Sequence, residues 1–149
     1  MNERETSILA KSVAAECIAY RVRLVNRVIT NVYDRALQPL GIKFNQANIL
    51  MMLSLTDRAT SADIVKVLLM EKSTVSRTVA RMKKSGWINV ESQGDGTSPL
   101  VTVTPAGRKI MAAMHAQWKK AQQQAYELLD ENGIAAVRML HDKLRPRSK

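Results

Sequence analysis

The feature that most constrains this chain is a change of period at Gly86. Before it, Val75, Val79 and Met82 recur at the 4, 3 spacing of one helix face. After it, Trp87-Ile88-Asn89-Val90-Glu91 and Leu100-Val101-Thr102-Val103-Thr104 alternate with the period of paired strands. The stretch Gln93 to Pro99, centred on Gly94-Asp95-Gly96, is the turn between those strands. Upstream, Thr60 or Ser61 caps a short helix, with Asp63 placed to favour its positive end, and a tight turn follows at Leu69 to Lys72. Residues 61–104 therefore read as helix, turn, helix and β-hairpin.

The second of these helices carries its charge on one side. At about 100° per residue, Ser73, Arg77, Arg81 and Lys84 fall opposite the apolar stripe. From Lys72 to Val90 there are five basic residues (Lys72, Arg77, Arg81, Lys83 and Lys84) and no acidic one, a surface suited to a polyanion. The whole chain of 149 residues has 23 Lys and Arg against 13 Asp and Glu, a formal charge of +10 and a pI near 10.1. That balance favours nucleic acid or an anionic membrane surface. The excess is spread over the beginning, middle and end of the chain, so it belongs to the fold and not to an appended arm.

An apolar content of 46% and this length fit one folded domain. No apolar run approaches the roughly 20 residues a membrane span needs. Met1-Asn2-Glu3-Arg4-Glu5 lacks the basic and apolar regions of a signal peptide, so a cytoplasmic location without membrane contact is expected. The single cysteine, Cys17, permits no internal disulfide.

Long helices flank the central unit. Ser7 to Leu37 contains neither Pro nor Gly, and Ile18, Val22, Val25, Ile29 and Val32 form one stripe, so a single long helix is expected, stopped by Pro39 and Gly41. Asn45 is the expected cap of a second helix, whose run Ile49 to Leu55 is apolar almost all round and should be buried on several sides. Thr104-Pro105 opens a helix over about Ala106 to Leu129, with a stripe at Ile110, Met114, Trp118, Ala121, Ala125 and Leu128. Asn132-Gly133 should break it, and Ile134, Val137, Leu140 and Leu144 mark a last helix ended by Pro146. The fold class is mainly α with a small β-hairpin. The end helices are too long to pack completely on so small a centre, which predicts a homodimer in which their stripes meet those of a second copy. The alternative is a monomer in which the two ends pair with each other.

With these elements in order, the chain resembles the MarR family of winged helix-turn-helix transcriptional regulators. The resemblance rests on Leu68-Leu69-Met70-Glu71-Lys72-Ser73-Thr74-Val75-Ser76-Arg77-Thr78-Val79, on Met82-Lys83-Lys84-Ser85-Gly86-Trp87-Ile88, and on Val101-Thr102-Val103-Thr104-Pro105-Ala106-Gly107-Arg108. It extends from about residue 12 to residue 145. It implies one MarR-type domain over 1–149, with mainly dimerisation helices at 7–38 and 106–145 and a winged helix-turn-helix at 45–104. Within the latter, the helix-turn-helix covers about 61–84 and the wing about 87–104. The implied assembly is a homodimer on palindromic double-stranded DNA, with each recognition helix in a major groove and each wing over the adjacent minor groove. More loosely, it implies a pocket for a small amphipathic or phenolic anion where the dimer helices meet the DNA-reading unit. One departure concerns the wing. The family commonly shows an Asp, one further residue and then an Arg, whereas Asp95 is followed here by Gly96, Thr97 and Ser98. Such a wing is expected to approach phosphates only through hydroxyls or backbone N–H groups.

The expected DNA-binding residues are Ser73, Thr74, Ser76, Arg77, Arg81, Lys83 and Lys84. Arg77 is placed to reach a guanine edge. Ser73, Thr74 and Ser76 are short donors for bases or phosphates, or else caps of the helix N-terminus. Arg81, Lys83 and Lys84 suit phosphate neutralisation. Arg108 is placed to brace the wing through a carboxylate such as Asp95, or to contact phosphate. Met51, Met52, Met70 and Met82 read as core fillers. A peroxide-sensing branch of the family carries a reactive cysteine in its first helix, but Cys17 falls out of register with it and reads as a buried structural thiol; a Cys17 redox-sensing regulator is the alternative. His115 and His141 lack metal-ligand spacing, and no cofactor is expected. Nor is an enzyme, since no nucleophile elbow, phosphate-binding glycine loop or acid/base pair is present. The expectation is a DNA-binding transcriptional repressor relieved by a small molecule. Its rivals are a winged-helix adaptor that binds protein and a set of basic amphipathic helices on a membrane surface.

Overall fold

The computed structural model describes residues 2–94 and 98–144. Helix α1 (Glu3–Glu16) opens on a capping box: the Glu5 amide donates to Asn2 Oδ1 and the Asn2 amide to Glu5 Oε2, both at 2.9 Å. The chain then breaks at Cys17, and α2 (Ile18–Leu37) begins, so the single helix expected from Ser7 to Leu37 is two. Neither Gly nor Pro marks the break. Cys17 leaves the helix by rotating to ψ 109° and becomes the N-cap of α2, its Sγ accepting from the Tyr20 amide. The Arg21 guanidinium covers the carbonyl of Ala15 that the break sets free.

A 3₁₀ turn (Gln38–Leu40) and Gly41, at φ 66°, end α2 as Pro39 and Gly41 predict. Helix α3 (Phe44–Thr56) starts one residue before the expected cap. Lys43 is the N-cap and its amide donates to Gln46 Oε1 at 2.8 Å, while Asn45 lies inside the first turn. Helix α3 buries Ile49, Leu50, Met52 and Leu53 but turns Met51 and Leu55 outward, so its apolar run is only partly core. Met52 and Met82 are core fillers as expected, Met70 is half-buried, and Met51 is exposed.

Strand β1 (Arg58–Thr60), unforeseen in the sequence, precedes α4 (Ser61–Leu68) and α5 (Lys72–Lys84). With β2 (Ile88–Glu91) and β3 (Leu100–Val103) it forms an antiparallel sheet of order β1-β3-β2, so the expected hairpin is widened to three strands. Val101 lies at the centre of the sheet, opposite Ala59 on one side and Val90 on the other. Ile64 of α4, Val75 and Met82 of α5, and Ile88 and Val101 of the sheet close one core with Leu50 and Leu53 of α3. This core holds α5 by its Val75, Val79 and Met82 face.

Helix α6 (Pro105–Leu144) is kinked at Asp130, whose φ 52° and ψ −178° are not helical. The break expected at Asn132-Gly133 thus falls earlier. Asp130 caps the helical segment beyond the kink by accepting from the Gly133 amide at 2.9 Å, and Gly133 is itself helical. Pro146, expected to end the last helix, lies outside the described residues. Of the stripe expected on this helix, Met114, Ala121 and Ala125 are buried and Ile110 is partly so, but Trp118 and Leu128 are exposed. The small Ala121 and Ala125 allow α2 to approach α6, with Tyr33 between them. The Tyr33 hydroxyl donates to Gln122 Oε1 at 2.5 Å and its ring packs on Phe44 at 4.7 Å. Burial, helped by the neighbouring Tyr126, holds the Tyr33 phenol above its ordinary pKa.

Candidate nucleic-acid interface

Helix α5 presents its basic residues because its other face is committed. Val75 and Met82 are fully buried and Val79 nearly so, whereas Ser73, Ser76, Arg77, Arg81, Lys83 and Lys84 are all exposed. Thr74 is half-buried. Among the described residues none of the four cations forms an ion pair, so their charge faces solvent. Capping does not account for the three hydroxyls. The N-cap of α5 is Glu71, no side chain bonds the helix start, and Ser73, Thr74 and Ser76 keep their hydroxyls free of partners among the described residues. The uncapped amides at this end are suited to phosphate oxygens.

The helix is fixed at both ends. Leu69 turns the chain from α4 in the left-handed conformation at φ 51°, with the Met70 amide donating to the Val65 carbonyl. At the far end Gly86, at φ 72°, donates to the Lys83 carbonyl and Trp87 to that of Met82, a Schellman closure that satisfies the last carbonyls. The Thr104 hydroxyl then ties helix, wing and α6 together. It donates to the Gly86 carbonyl at 2.6 Å and accepts from the Gly107 amide at 3.0 Å. Gly107 sits so close to the Trp87 carbonyl oxygen that a Cβ there would lie 2.1 Å from it. The glycine of the Thr-Pro-Ala-Gly-Arg exit is thus a steric requirement of the wing base. Arg108 braces that base by donating to the Val103 carbonyl at 3.1 Å. Asp95, Gly96 and Thr97, on which the expected wing contacts and the Asp95 partner for Arg108 depend, lie outside the described residues.

A cleft of about 450 Å³ adjoins the recognition helix. Thr74, Arg77, Thr78 and Arg81 of α5 form one wall. Thr30 and Asp34 of α2, with Lys43, Asn45 and Gln46 at the start of α3, form the other. Asp34 is fixed there by accepting from the Phe44 amide at 2.8 Å. The sequence did not single out this second wall, because its residues come from segments distant from α5 and show no local spacing. Cys17 is half-buried and serves as the α2 N-cap, which corrects the expectation of a buried thiol. His115 stacks on Trp118 and His141 pairs with Asp142; among the described residues no cluster of three or more His, Cys, Asp or Glu could hold a metal ion. No helix among them is long and apolar enough to cross a membrane.

A recognition helix held by one face, a turn before it and a sheet behind it define a winged helix-turn-helix. The family model described as MarR family matches residues 40–96, the segment that holds α3, β1, α4, α5 and β2 and stops short of β3. A mutant MarR from E. coli complexed with operator DNA has the same fold, with a TM-score of 0.76 and 21% identity over 90% of this chain and 97% of that one. BpsR of Bordetella bronchiseptica, described through the regulation of its DNA binding by 6-hydroxynicotinic acid, superposes with a TM-score of 0.76 at 20% identity over 87% and 94% of the two chains. An HTH-type transcriptional regulator of Bacillus subtilis, YwoH, itself uncharacterized, is 23% identical over 107 residues, 72% of this chain and 78% of its own. The resemblance to MarR-family winged helix-turn-helix regulators is therefore shown by the family model over residues 40–96, and the fold is shared over nearly the whole chain.

Proposed function

We propose that the chain is a dimeric, sequence-specific DNA-binding repressor that acts in the cytoplasm on a palindromic operator and is released by a small anion. The observation that carries this reading is the exposed cationic face of α5, directly opposite its buried stripe. In this reading Arg77 contacts a base edge, Ser73, Thr74 and Ser76 contact bases or phosphates, and Arg81, Lys83 and Lys84 neutralise phosphates. The operator complex of the E. coli MarR supports DNA as the partner.

Dimerisation is supported by the apolar surface the single chain leaves uncovered. No residue of α1 is buried, and Ile8, Leu9, Val13, Ile18, Val22 and Val25 are exposed along α1 and the first half of α2. Val137, Met139, Leu140 and Leu144 are exposed beyond the kink of α6. Uncovered apolar faces of this kind are suited to a second copy, with 7–38 and 106–145 as the main dimerisation segments and 45–104 as the DNA-reading unit in each. Release by a ligand is supported by the cleft between α2, α3 and α5 and by the ligand-regulated BpsR.

Selection of bound fragments from random duplex DNA tests the reading. The expected result is an enriched inverted repeat with half-sites about 10 base pairs apart, centre to centre. Recovery of no shared sequence would instead favour the adaptor reading.

A further inference from the structure

The cleft beside α5 has a chemistry of its own. Every residue lining it is polar or charged, so its apolar surface comes only from threonine methyl groups and the stems of its longer side chains. Two of its cations, Arg77 and Arg81, stand one helical turn apart on α5, and Lys43 adds a third from α3. Against them stands one carboxylate. Asp34 spends one oxygen on the Phe44 amide, and its second has no partner among the described residues. The hydrogen bond to Phe44 fixes the carboxylate, so its charge is part of the site and not a wandering surface acid.

Such a lining selects for a ligand with both signs of charge. Guanidinium groups pair with carboxylates through parallel N–H···O bonds, and a fixed carboxylate pairs with an ammonium group. A purely anionic ligand, a phenolic carboxylate included, would leave Asp34 facing it unfavourably and without a partner. The same two arginines are the cations that α5 offers to DNA. Ligand and DNA then draw on one set of charges and exclude each other without any change of shape.

We propose that this cleft binds a small hydrophilic anion that also carries an ammonium group, of the acidic amino-acid type, and that it displaces DNA by direct competition for Arg77 and Arg81. The proposal rests on the functional reading above and specifies its ligand and its mode of release.

L-Aspartate and succinate, which share a carbon skeleton and differ by the ammonium group, are the probes, with salicylate as the phenolic comparison. Calorimetric titration into the DNA-free protein should show aspartate binding on the order of tenfold tighter than succinate, and salicylate weakest. Asp34→Asn keeps an oxygen for the Phe44 amide but removes the charge, and it should erase the preference for aspartate; a melting curve confirms that the variant is folded. Arg81→Gln should weaken both dicarboxylates. With a labelled duplex, the apparent DNA Kd should rise in proportion to aspartate without limit, whereas an allosteric ligand would bring it to a plateau. Equal binding of aspartate and succinate, binding of neither, or a plateau would overturn the proposal. Because the calorimetry uses no DNA, it decides the ligand class even if the functional reading fails, and failure of the duplex to bind the ligand-free protein strikes that reading alone.

Discussion

Gly107 and Lys84 are opposite kinds of residue, one defined by what it must lack and the other by what it adds. A methyl group at Gly107 would lie 2.1 Å from the Trp87 carbonyl oxygen and 2.8 Å from Val103 Cγ1, both at the wing base. Backbone cannot rotate away as a side chain can, so Gly107→Ala should destabilise the fold on the order of 1 to 3 kcal/mol; a lowered denaturant midpoint with an unchanged slope checks this. Lys84 is exposed at the end of α5, and its expected service is a single phosphate contact. Lys84→Ala should weaken all duplexes alike and reduce the slope of log K against log salt by about one unit, measured by titration at several salt concentrations. At this scale the sequence was informative where a pattern repeats. The stripe Val75, Val79, Met82 placed Arg77 and Arg81 outward because three core positions fix a helix's rotation. Asp34 was not legible, since its importance comes from the distant α3 amide it accepts from and the cleft it enters.

Among the elements, α4 is the one whose start is most fully specified. Thr60 and Asp63 form a reciprocal cap: the Asp63 amide donates to Thr60 Oγ1 at 3.2 Å, and the Thr60 amide and hydroxyl donate to Asp63 Oδ2 at 2.8 and 2.7 Å. The hydroxyl and then the amide of Thr60 hold the Asp63 carboxyl below its ordinary pKa. A lowered folded pKa adds stability that is present above the ordinary carboxylate range and is lost as the pH falls through the folded value. Thr60→Ala should cost about 1 kcal/mol at neutral pH and should flatten part of the acid loss, which denaturation midpoints across the acid range would show. This element was legible because caps are local. Strand β1 was not, because the three residues Arg58-Ala59-Thr60 are too few to display a period and pair only with distant β3. The break at Cys17 escaped for a related reason: with no Gly or Pro, an unbroken apolar stripe reads as one helix. At the other end Asn132-Gly133 offered the stronger breaking signal, yet Asp130 breaks α6 because its carboxylate caps the next turn.

The whole molecule joins a well-packed winged helix-turn-helix to helices that the single chain leaves partly bare. Since α1 buries no residue within its own chain, deleting residues 1–16 should spare the fold while weakening the dimer and the preference for two half-sites. Sedimentation should show the full chain as the proposed dimer at concentrations where the shortened protein is a monomer. If the exposed face of α5 reads sequence as proposed, Arg77 is the residue that does so. The most direct measurement is therefore the affinity of the parent and of Arg77→Ala for the selected palindrome and for random duplex of equal length at one fixed salt concentration. A base-reading Arg77 predicts a loss on the order of 1 to 3 kcal/mol on the palindrome and a much smaller loss on random DNA. Equal losses on the two duplexes would contradict it, leaving Arg77 one more charge near the backbone.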